Sequence, residues 1–271
     1  MKDNIIEGVQ TWTTWWISQR QKKIRDTVNQ TMEINPFLAP LIWNLHGFSS
    51  GSELAEFLIG GHFYIGHGTG FGKFIDEKVL PEVFKTKKLS RKSRSLMNMT
   101  HSAYDNIDHV VEKGGKRYLL SLKAGKWTIQ LGQAVNLNAS LNEICKLRAS
   151  DSTLFEKIIV GTFYGRSEGL TDKYRIIRGI NTGQNHDVVD ITDNVEVISG
   201  REFWAWLGDD YDTQDWIIEG IVRATKASAG IERKAAEDTE KIERNITKVF
   251  ATIQDPHSVD DWKKFASAIN D

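Results

Sequence analysis

Residues 107–123 read IDHVVEKGGKRYLLSLK, and this stretch decides the fold class that we predict. Apolar and polar side chains alternate over 107–111 and again over 117–123, which is the two-residue period of a strand. The segment 113–116 between them, Lys-Gly-Gly-Lys, predicts a tight hairpin turn. We therefore expect two antiparallel strands that pair side by side.

This predicted hairpin brings an acid and a lysine together. Residues two apart on a strand share a face, so Ser121 and Lys123 are expected to point the same way, with Asp108 able to share that face. A carboxylate can hold a divalent ion against a phosphate oxygen, and a lysine can stabilise the charge that develops there. Many sheets carry such a pair as solvated surface residues. The apolar neighbours indicate a buried sheet, in which an unpaired charge is costly, and this favours a site.

Periodicity predicts the organisation of the rest of the chain. We expect helices at 3–33, 52–59, 73–84 and 126–148, a glycine-rich turn at 66–73, a strand at 157–164, a strand pair at 173–180 and 187–198, and helices from Arg201 onward. The glycine-rich turn lacks the Gly-Lys-Ser/Thr ending of a phosphate loop, so nucleotide binding is not expected. We predict one α/β domain with a helical N-terminal part (1–60), a core (61–200) and a helical C-terminal part (201–271).

Composition limits the class of protein further. The 271 residues have a formal net charge of −1, but binding to nucleic acid depends on a basic face, and 85–94 holds six basic residues without an acid. The single cysteine, Cys145, excludes a disulfide framework or a thiolate zinc site and fits a reducing cytosol. No apolar run approaches the ~18–20 residues of a membrane span, and the first residues lack a signal-like apolar segment. We expect a cytoplasmic protein with no membrane contact.

The pattern of Asp108, a dozen residues, Ser121-Leu122-Lys123 and then a helix resembles the PD-(D/E)xK nuclease motif. Longer segments are similar to one subgroup, the type II restriction endonucleases that recognise purine-GG-N-CC-pyrimidine. The similarity runs from the first helix to about residue 225, and is strongest in 69–78, 107–110, 120–131, 169–175, and 178–183 with Asn185 and His186.

The resemblance implies an α/β fold with a central mixed sheet flanked by helices. It also implies a homodimer around double-stranded DNA, Mg²⁺-dependent double-strand cleavage at a short palindromic site, and a companion methyltransferase in the same restriction-modification system. Carried over by position, Asp108 becomes the metal-binding acid and Lys123 the lysine of the motif.

One position departs from the pattern of the family. Ser121 stands where Asp or Glu is usual, and a hydroxyl cannot supply that negative charge, so a second acid is expected from elsewhere. Asp76 and Glu77, on the helix predicted after the glycine-rich turn, are the candidates. The backbone carbonyl of Leu122 is a candidate for a further metal ligand.

A site that contains GG needs donors to guanine O6 and N7, which Arg or Lys supply in the major groove. On the predicted strand 173–180, Arg175 and Arg178 would face opposite sides, so at most one is expected at a base. The basic run 85–94 suits phosphate contacts, which position the protein without reading sequence. The predicted DNA-binding residues are Lys73, Lys88, Arg91, Arg94, Lys126, Lys173, Arg175, Arg178, Asn181, Asn185 and His186.

Two other functions stay open. The first is a sequence-specific DNA-binding protein with a decayed nuclease site, which Ser121 supports. The second is a repair or recombination nuclease that reads DNA structure and ignores sequence. The dimer interface is open as well, with the tryptophan-rich first helix and the C-terminal helices both eligible.

Overall fold

A five-stranded mixed sheet with helices on its flanks organises the chain in the computed structural model, which describes residues 1–30, 33–125, 128–150, 154–181, 183 and 185–270. The strands are β1 (Lys87–Lys88), β2 (His109–Lys113), β3 (Lys116–Lys123), β4 (Lys157–Thr162) and β5 (Val195–Ser199). The α-helices are α1 (Lys2–Thr27), α2 (Ala39–His46), α3 (Gly51–Phe74), α4 (Arg91–Leu96), α5 (Leu131–Ser150), α6 (Asp172–Ile177), α7 (Arg201–Gly208), α8 (Thr213–Ala227), α9 (Ala229–Phe250) and α10 (Val259–Asn270). A π-helix, Ile75–Val83, continues α3 directly, and short 3₁₀ turns lie at Ser102–Asn106 and Ser167–Gly169. The prediction of an α/β chain with a mixed sheet is confirmed.

The predicted hairpin is present. The strands lie in the order β1-β2-β3-β4-β5, antiparallel as far as β3 and parallel from β3 to β5. β2 and β3 pair from His109↔Leu120 to Lys113↔Lys116, which leaves only Gly114 and Gly115 in the turn. Both glycines have positive φ, 56° and 74°, as a two-residue hairpin turn of this hand requires.

The helix α5 forms the crossover between the parallel strands β3 and β4, and the main core lies on that side of the sheet. This core joins the sheet to α5 and α6 through buried apolar side chains, including Leu119, Ile158, Val160, Leu137, Leu141, Ile144 and Ile176. On the opposite face Gly161 of β4 lies against the ring of Phe203 in α7. Strands covered on both faces in this way carry nearly continuous apolar runs.

The chain forms two compact units. The first comprises Met1–Trp12 and Gly72–Val222 and contains the sheet, while the second comprises Thr13–Phe71 and the chain from Arg223 onward and is helical among its described residues. The second unit has a core of its own, which includes Ile24, Trp43, Leu54, Ile246, Phe250 and Phe265. The single domain in three parts stays a prediction. Within the part of the chain that the structure describes, no helix has the length and apolar character required to cross a membrane.

The glycine-rich turn predicted at 66–73 is wrong, because most of this segment lies inside α3. Two side chains of α1 donate hydrogen bonds to backbone carbonyls of this segment, and at Gly70 one of them occupies the space that a side chain would need. Arg20 donates from Nη1 to the carbonyl of Gly66 at 3.1 Å, and Trp16 donates from Nε1 to the carbonyl of Gly70 at 3.3 Å. A Cβ at Gly70 would lie 2.6 Å from Nη1 of Arg20. Glycine here allows two helices to approach closely, which outweighs its low helix propensity.

The strand pair predicted at 173–180 and 187–198 is also wrong. Residues Asp172–Ile177 form the helix α6, and of the second segment only Val195–Ser199 belongs to a strand. Two adjacent buried isoleucines, Ile176 and Ile177, look like part of a strand in the sequence, but a short helix packed on α5 buries both. The helix predicted at 3–33 is α1, which ends at Thr27. Helices follow from Arg201 as predicted.

Candidate active site

Asp108 lies immediately before β2, at the end of the hairpin. Its backbone N–H donates to the carbonyl of Leu120 at 2.8 Å, and its Oδ2 accepts from the backbone N–H of Leu122 at 2.6 Å. Asp108 precedes β2, which begins at His109. The hydrogen bond from the N–H of Leu122 therefore goes to the side-chain carboxylate of Asp108 and not to a backbone carbonyl of β2. The N–H and C=O of one strand residue point to the same edge, so the carbonyl of Leu122 also faces the edge where Asp108 lies.

Lys123 is the last residue of β3 and approaches the same end of the sheet. Its Nζ donates to Oγ of Ser121 at 3.1 Å, so the two side chains share a face as the alternation predicts. Ser121 is fully buried, whereas Lys123 is half-buried. Burial raises the pKa of Asp108, and the positive charge of Lys123 opposes this effect only in part. The structure therefore groups Asp108, Ser121, Leu122 and Lys123, as the sequence predicts.

The surroundings of Asp108 raise its pKa even though Lys123 is close to it. Burial raises its pKa, and the negative charge of Asp76 raises the pKa further. The charge of Lys123, the hydrogen bond from Leu122 and the charge of His109 act in the opposite direction but do not restore the ordinary value. A carboxylate in such surroundings gains from a bound cation, because the cation favours the ionised form.

The two helix acids differ in their surroundings. Asp76 accepts from Nε2 of His109 at 2.7 Å through Oδ1 and from Nζ of Lys88 through Oδ2. Burial raises the pKa of Asp76, but these hydrogen bonds from His109 and Lys88 outweigh that effect and lower it below its ordinary value. Glu77 is 56% exposed, and its Oε1 lies 3.9 Å from Nζ of Lys88. Only Asp76 is tied into the end of the sheet.

His109 and Thr86 belong to this group, and sequence reasoning assigned neither of them a role there. His109 is fully buried, and its Nδ1 lies 2.9 Å from Oγ1 of Thr86. Lys88 is the cross-strand neighbour of His109 in the pairing of β1 with β2. A strand of two residues has no alternation to reveal it, so the sequence offers no signal for this contact.

The residues at the end of the sheet fit a magnesium ion with few protein ligands. Asp108, the carbonyl of Leu122 and Asp76 supply only oxygen atoms, which are the ligands that Mg²⁺ prefers. Within the described ranges no group of three or more His, Cys, Asp or Glu side chains is arranged to hold a metal ion. Mg²⁺ usually keeps several waters and takes substrate phosphate oxygens as its remaining ligands.

The predicted phosphate-binding residues are only partly available. Lys88 is engaged by Asp76, and Arg94 forms an ion pair with Asp105. Arg91 is exposed on α4 and Lys73 is exposed near the end of α3. Lys126 lies outside the described residues.

The predicted base-reading residues lie on α6 and the loop that follows it. On this helical turn Arg175 and the helix-capping Arg178 are three residues apart and therefore share a side, which corrects the expectation that they face opposite ways. Lys173 is paired with Asp172 at 2.7 Å. In the loop, Asn181 donates to Oδ1 of Asn185 at 3.1 Å and accepts from the backbone N–H of His186 at 3.0 Å. The three loop residues thus form one hydrogen-bonded group.

In comparisons with known proteins, no family model and no curated protein matches this chain.

Proposed function

We propose that this chain is a type II restriction endonuclease of the PD-(D/E)xK superfamily. In this proposal it makes Mg²⁺-dependent double-strand cuts in DNA at a short palindromic site that contains GG and CC, within a restriction-modification system. The observation that carries the proposal is the meeting of Asp108 and Lys123 at one end of the β2–β3 hairpin. The resemblance of the surrounding sequence to such enzymes agrees with it.

Each residue has a role that its surroundings support. Asp108 is half-buried, and burial raises its pKa by more than the charge of Lys123 lowers it, so it suits a metal ligand. Lys123 is held beside it by Ser121 and suits the stabilisation of charge on the phosphate that is attacked. A bound Mg²⁺ ion supplies polarisation of the phosphate and a water of lowered pKa.

A homodimer is part of the proposal, because two-fold symmetry matches a palindrome. Exposed apolar side chains on α2 and α3 of the helical unit support a surface for a second copy. Leu45 is 80% exposed and Tyr64 is 82% exposed, and Tyr64 lines a groove of about 660 Å³ together with Phe57, Gly60 and Gly61. Exposed apolar side chains that lie near one another often mark a surface for another protein chain.

The dimer is tested by comparing the oligomeric state of a Tyr64 variant with that of a control variant. Tyr64→Glu is expected to shift the protein from dimer to monomer in sedimentation velocity, because a charge on this surface opposes apolar contact. Leu96→Glu, at a side chain that is equally exposed on α4, is the matched control and is expected to stay dimeric. Equal behaviour of both variants contradicts this choice of surface.

Incubation of purified protein with unmethylated phage DNA, in Mg²⁺ or in EDTA, tests the function. We expect discrete Mg²⁺-dependent fragments whose sequenced ends share one palindrome. Products of random length, or a preference for branched DNA, would instead select a repair or recombination nuclease.

A second candidate is a sequence-specific DNA-binding protein with a decayed nuclease site. The observation that favours it is Ser121, which is neutral and fully buried where the motif usually has an acid. Tight binding to one sequence with intact DNA in both Mg²⁺ and EDTA selects this candidate.

A further inference from the structure

We propose that His109, held by Thr86, is a positioning residue that orients Asp76 and makes Asp76, not Glu77, the second acid of the site. The inference rests on the proposed function, since it names the residue that compensates for the neutral Ser121.

The imidazole of His109 is fixed at both nitrogens. It is fully buried, with Nε2 at 2.7 Å from Oδ1 of Asp76 and Nδ1 at 2.9 Å from Oγ1 of Thr86. An ionised Asp76 can only accept, so Nε2 donates to Oδ1, and Nδ1 forms the second hydrogen bond with the hydroxyl of Thr86. Because rotation of the ring breaks both bonds in a buried place, the direction of its N–H is set.

This fixed N–H controls one oxygen of Asp76. Oδ1 is held by His109, which leaves Oδ2 as the oxygen that can exchange partners, and in this structure Oδ2 accepts from Lys88. An ammonium group at that oxygen occupies the kind of position that a divalent cation takes. Partners that orient a ligating group in this way usually change metal affinity by about 10–100-fold when they are removed.

The surroundings favour Asp76 over Glu77 as the second acid. The side chain of Asp76 is 23% exposed and that of Glu77 is 56% exposed. The charge of Asp76 acts on Asp108. A Cβ at Gly72 would lie 4.0 Å from the Cβ of Ala124, so the helical segment that leads to Asp76 lies against the end of β3.

The test measures Mn²⁺ binding to the full chain without DNA, by the paramagnetic resonance signal of free Mn²⁺. Asp76→Asn and His109→Leu are expected to weaken binding by about tenfold or more. His109→Gln keeps an amide N–H in the place of Nε2 and is expected to recover most of the lost affinity. Glu77→Gln is expected to stay within about twofold of the unchanged protein.

A matched control separates orientation from general damage to the fold. Asn138 is also buried in the first unit, where it donates to the carbonyls of Ile177 and Val189 at 3.0 Å and 2.9 Å. Asn138→Leu therefore disrupts a buried hydrogen-bond network away from Asp76, and its Mn²⁺ affinity is expected to be unchanged. The inference is overturned if His109→Leu weakens Mn²⁺ binding no more than Asn138→Leu, or if Glu77→Gln weakens it and Asp76→Asn does not.

Failure of the proposed function has a different signature. If the unchanged protein cuts DNA and Asp108→Asn abolishes both cutting and Mn²⁺ binding, while Asp76→Asn and His109→Leu bind Mn²⁺ normally, only the present inference fails. If the unchanged protein cuts no DNA and Asp108→Asn leaves Mn²⁺ binding unaltered, the proposed function fails as well.

Discussion

Replacing Asp108 by Asn or by Ala separates the catalytic from the structural contribution of its carboxyl group. Both changes remove the negative charge proposed to hold the metal ion. Asp108→Asn keeps a carbonyl oxygen that can accept from the backbone N–H of Leu122, whereas Asp108→Ala leaves that N–H without its acceptor at 2.6 Å. We therefore expect equal loss of cleavage but different stability.

The expected stability change follows from the hydrogen bond. A bond to a charged acceptor contributes about 1.5–3 kcal/mol and a neutral one about 0.5–1.5 kcal/mol. Burial raises the pKa of Asp108, so the fold disfavours its ionised form at neutral pH and the neutral Asn removes that penalty. We expect Asp108→Asn to unfold within about 1 kcal/mol of the unchanged protein, and Asp108→Ala to lose about 1.5–3 kcal/mol, since its N–H is unpaired. At about 2–4 °C per kcal/mol, the alanine variant should melt roughly 3–12 °C lower.

The expected loss of cleavage is larger. Metal ions contribute several kcal/mol to the stabilisation of such transition states, and each 1.36 kcal/mol is a factor of ten in rate, so both variants should cleave about a thousandfold more slowly or worse. The assays are cleavage of unmethylated phage DNA in Mg²⁺ and thermal unfolding in EDTA. Asp105→Asn, an acid that is 59% exposed, is the control and should retain cleavage. An Asp108→Asn protein that cleaves within tenfold of the unchanged protein refutes the catalytic role, and equal melting of the two Asp108 variants refutes the structural one.

Three further changes test other parts of the molecule. Gly161→Ala should lower the free energy of unfolding in urea by about 1–3 kcal/mol, because its Cβ would lie 2.5 Å from the ring of Phe203. The control is Gly132→Ala, which has no atom within 4 Å of the added carbon and should not lower this free energy. Equal losses in the two variants would contradict the packing of Gly161 against Phe203. Burial raises the pKa of Cys145, so its thiol should react with a disulfide reagent far more slowly in the folded protein than in urea, and equal rates would show that it is accessible. Lys88→Met should tighten Mn²⁺ binding severalfold by removing a competing cation from Asp76, whereas weaker binding would show that the lysine supports the ion.

The β2–β3 hairpin was predictable because the contacts that define it are local. The alternating pattern and the two-glycine turn lie within 17 consecutive residues. The turn sets the pairing register of β2 and β3, which brings Asp108 beside Leu122 and Lys123. The crossover helix α5 and the strand β4 were also predictable from local sequence, α5 from the helical spacing of its apolar residues and β4 from its continuous apolar run. All four residues grouped at the end of the sheet, Asp108, Ser121, Leu122 and Lys123, therefore belong to the motif that the sequence shows.

The helices α3 and α6 show where local reasoning fails. Six glycines lie between Gly60 and Gly72, and they oppose a helix by propensity, but close packing of Trp16 and Arg20 against this segment favours one. The contacts that decide the matter come from 46 and 54 residues away. No window of sequence that is read by itself contains them.

The sequence by itself determined the hairpin, the sheet class and the shared face of Ser121 and Lys123, because a two-residue period and a turn are properties of neighbouring residues. The tertiary structure alone decided which helix acid reaches the site. Asp76 and Glu77 are adjacent and chemically alike, but Asp76 accepts hydrogen bonds from His109, 33 residues away, and from Lys88, which β1 places beside that histidine. Glu77 only approaches Lys88, at 3.9 Å. Burial and hydrogen bonding, which distant segments supply, distinguish two acids that the sequence leaves equivalent.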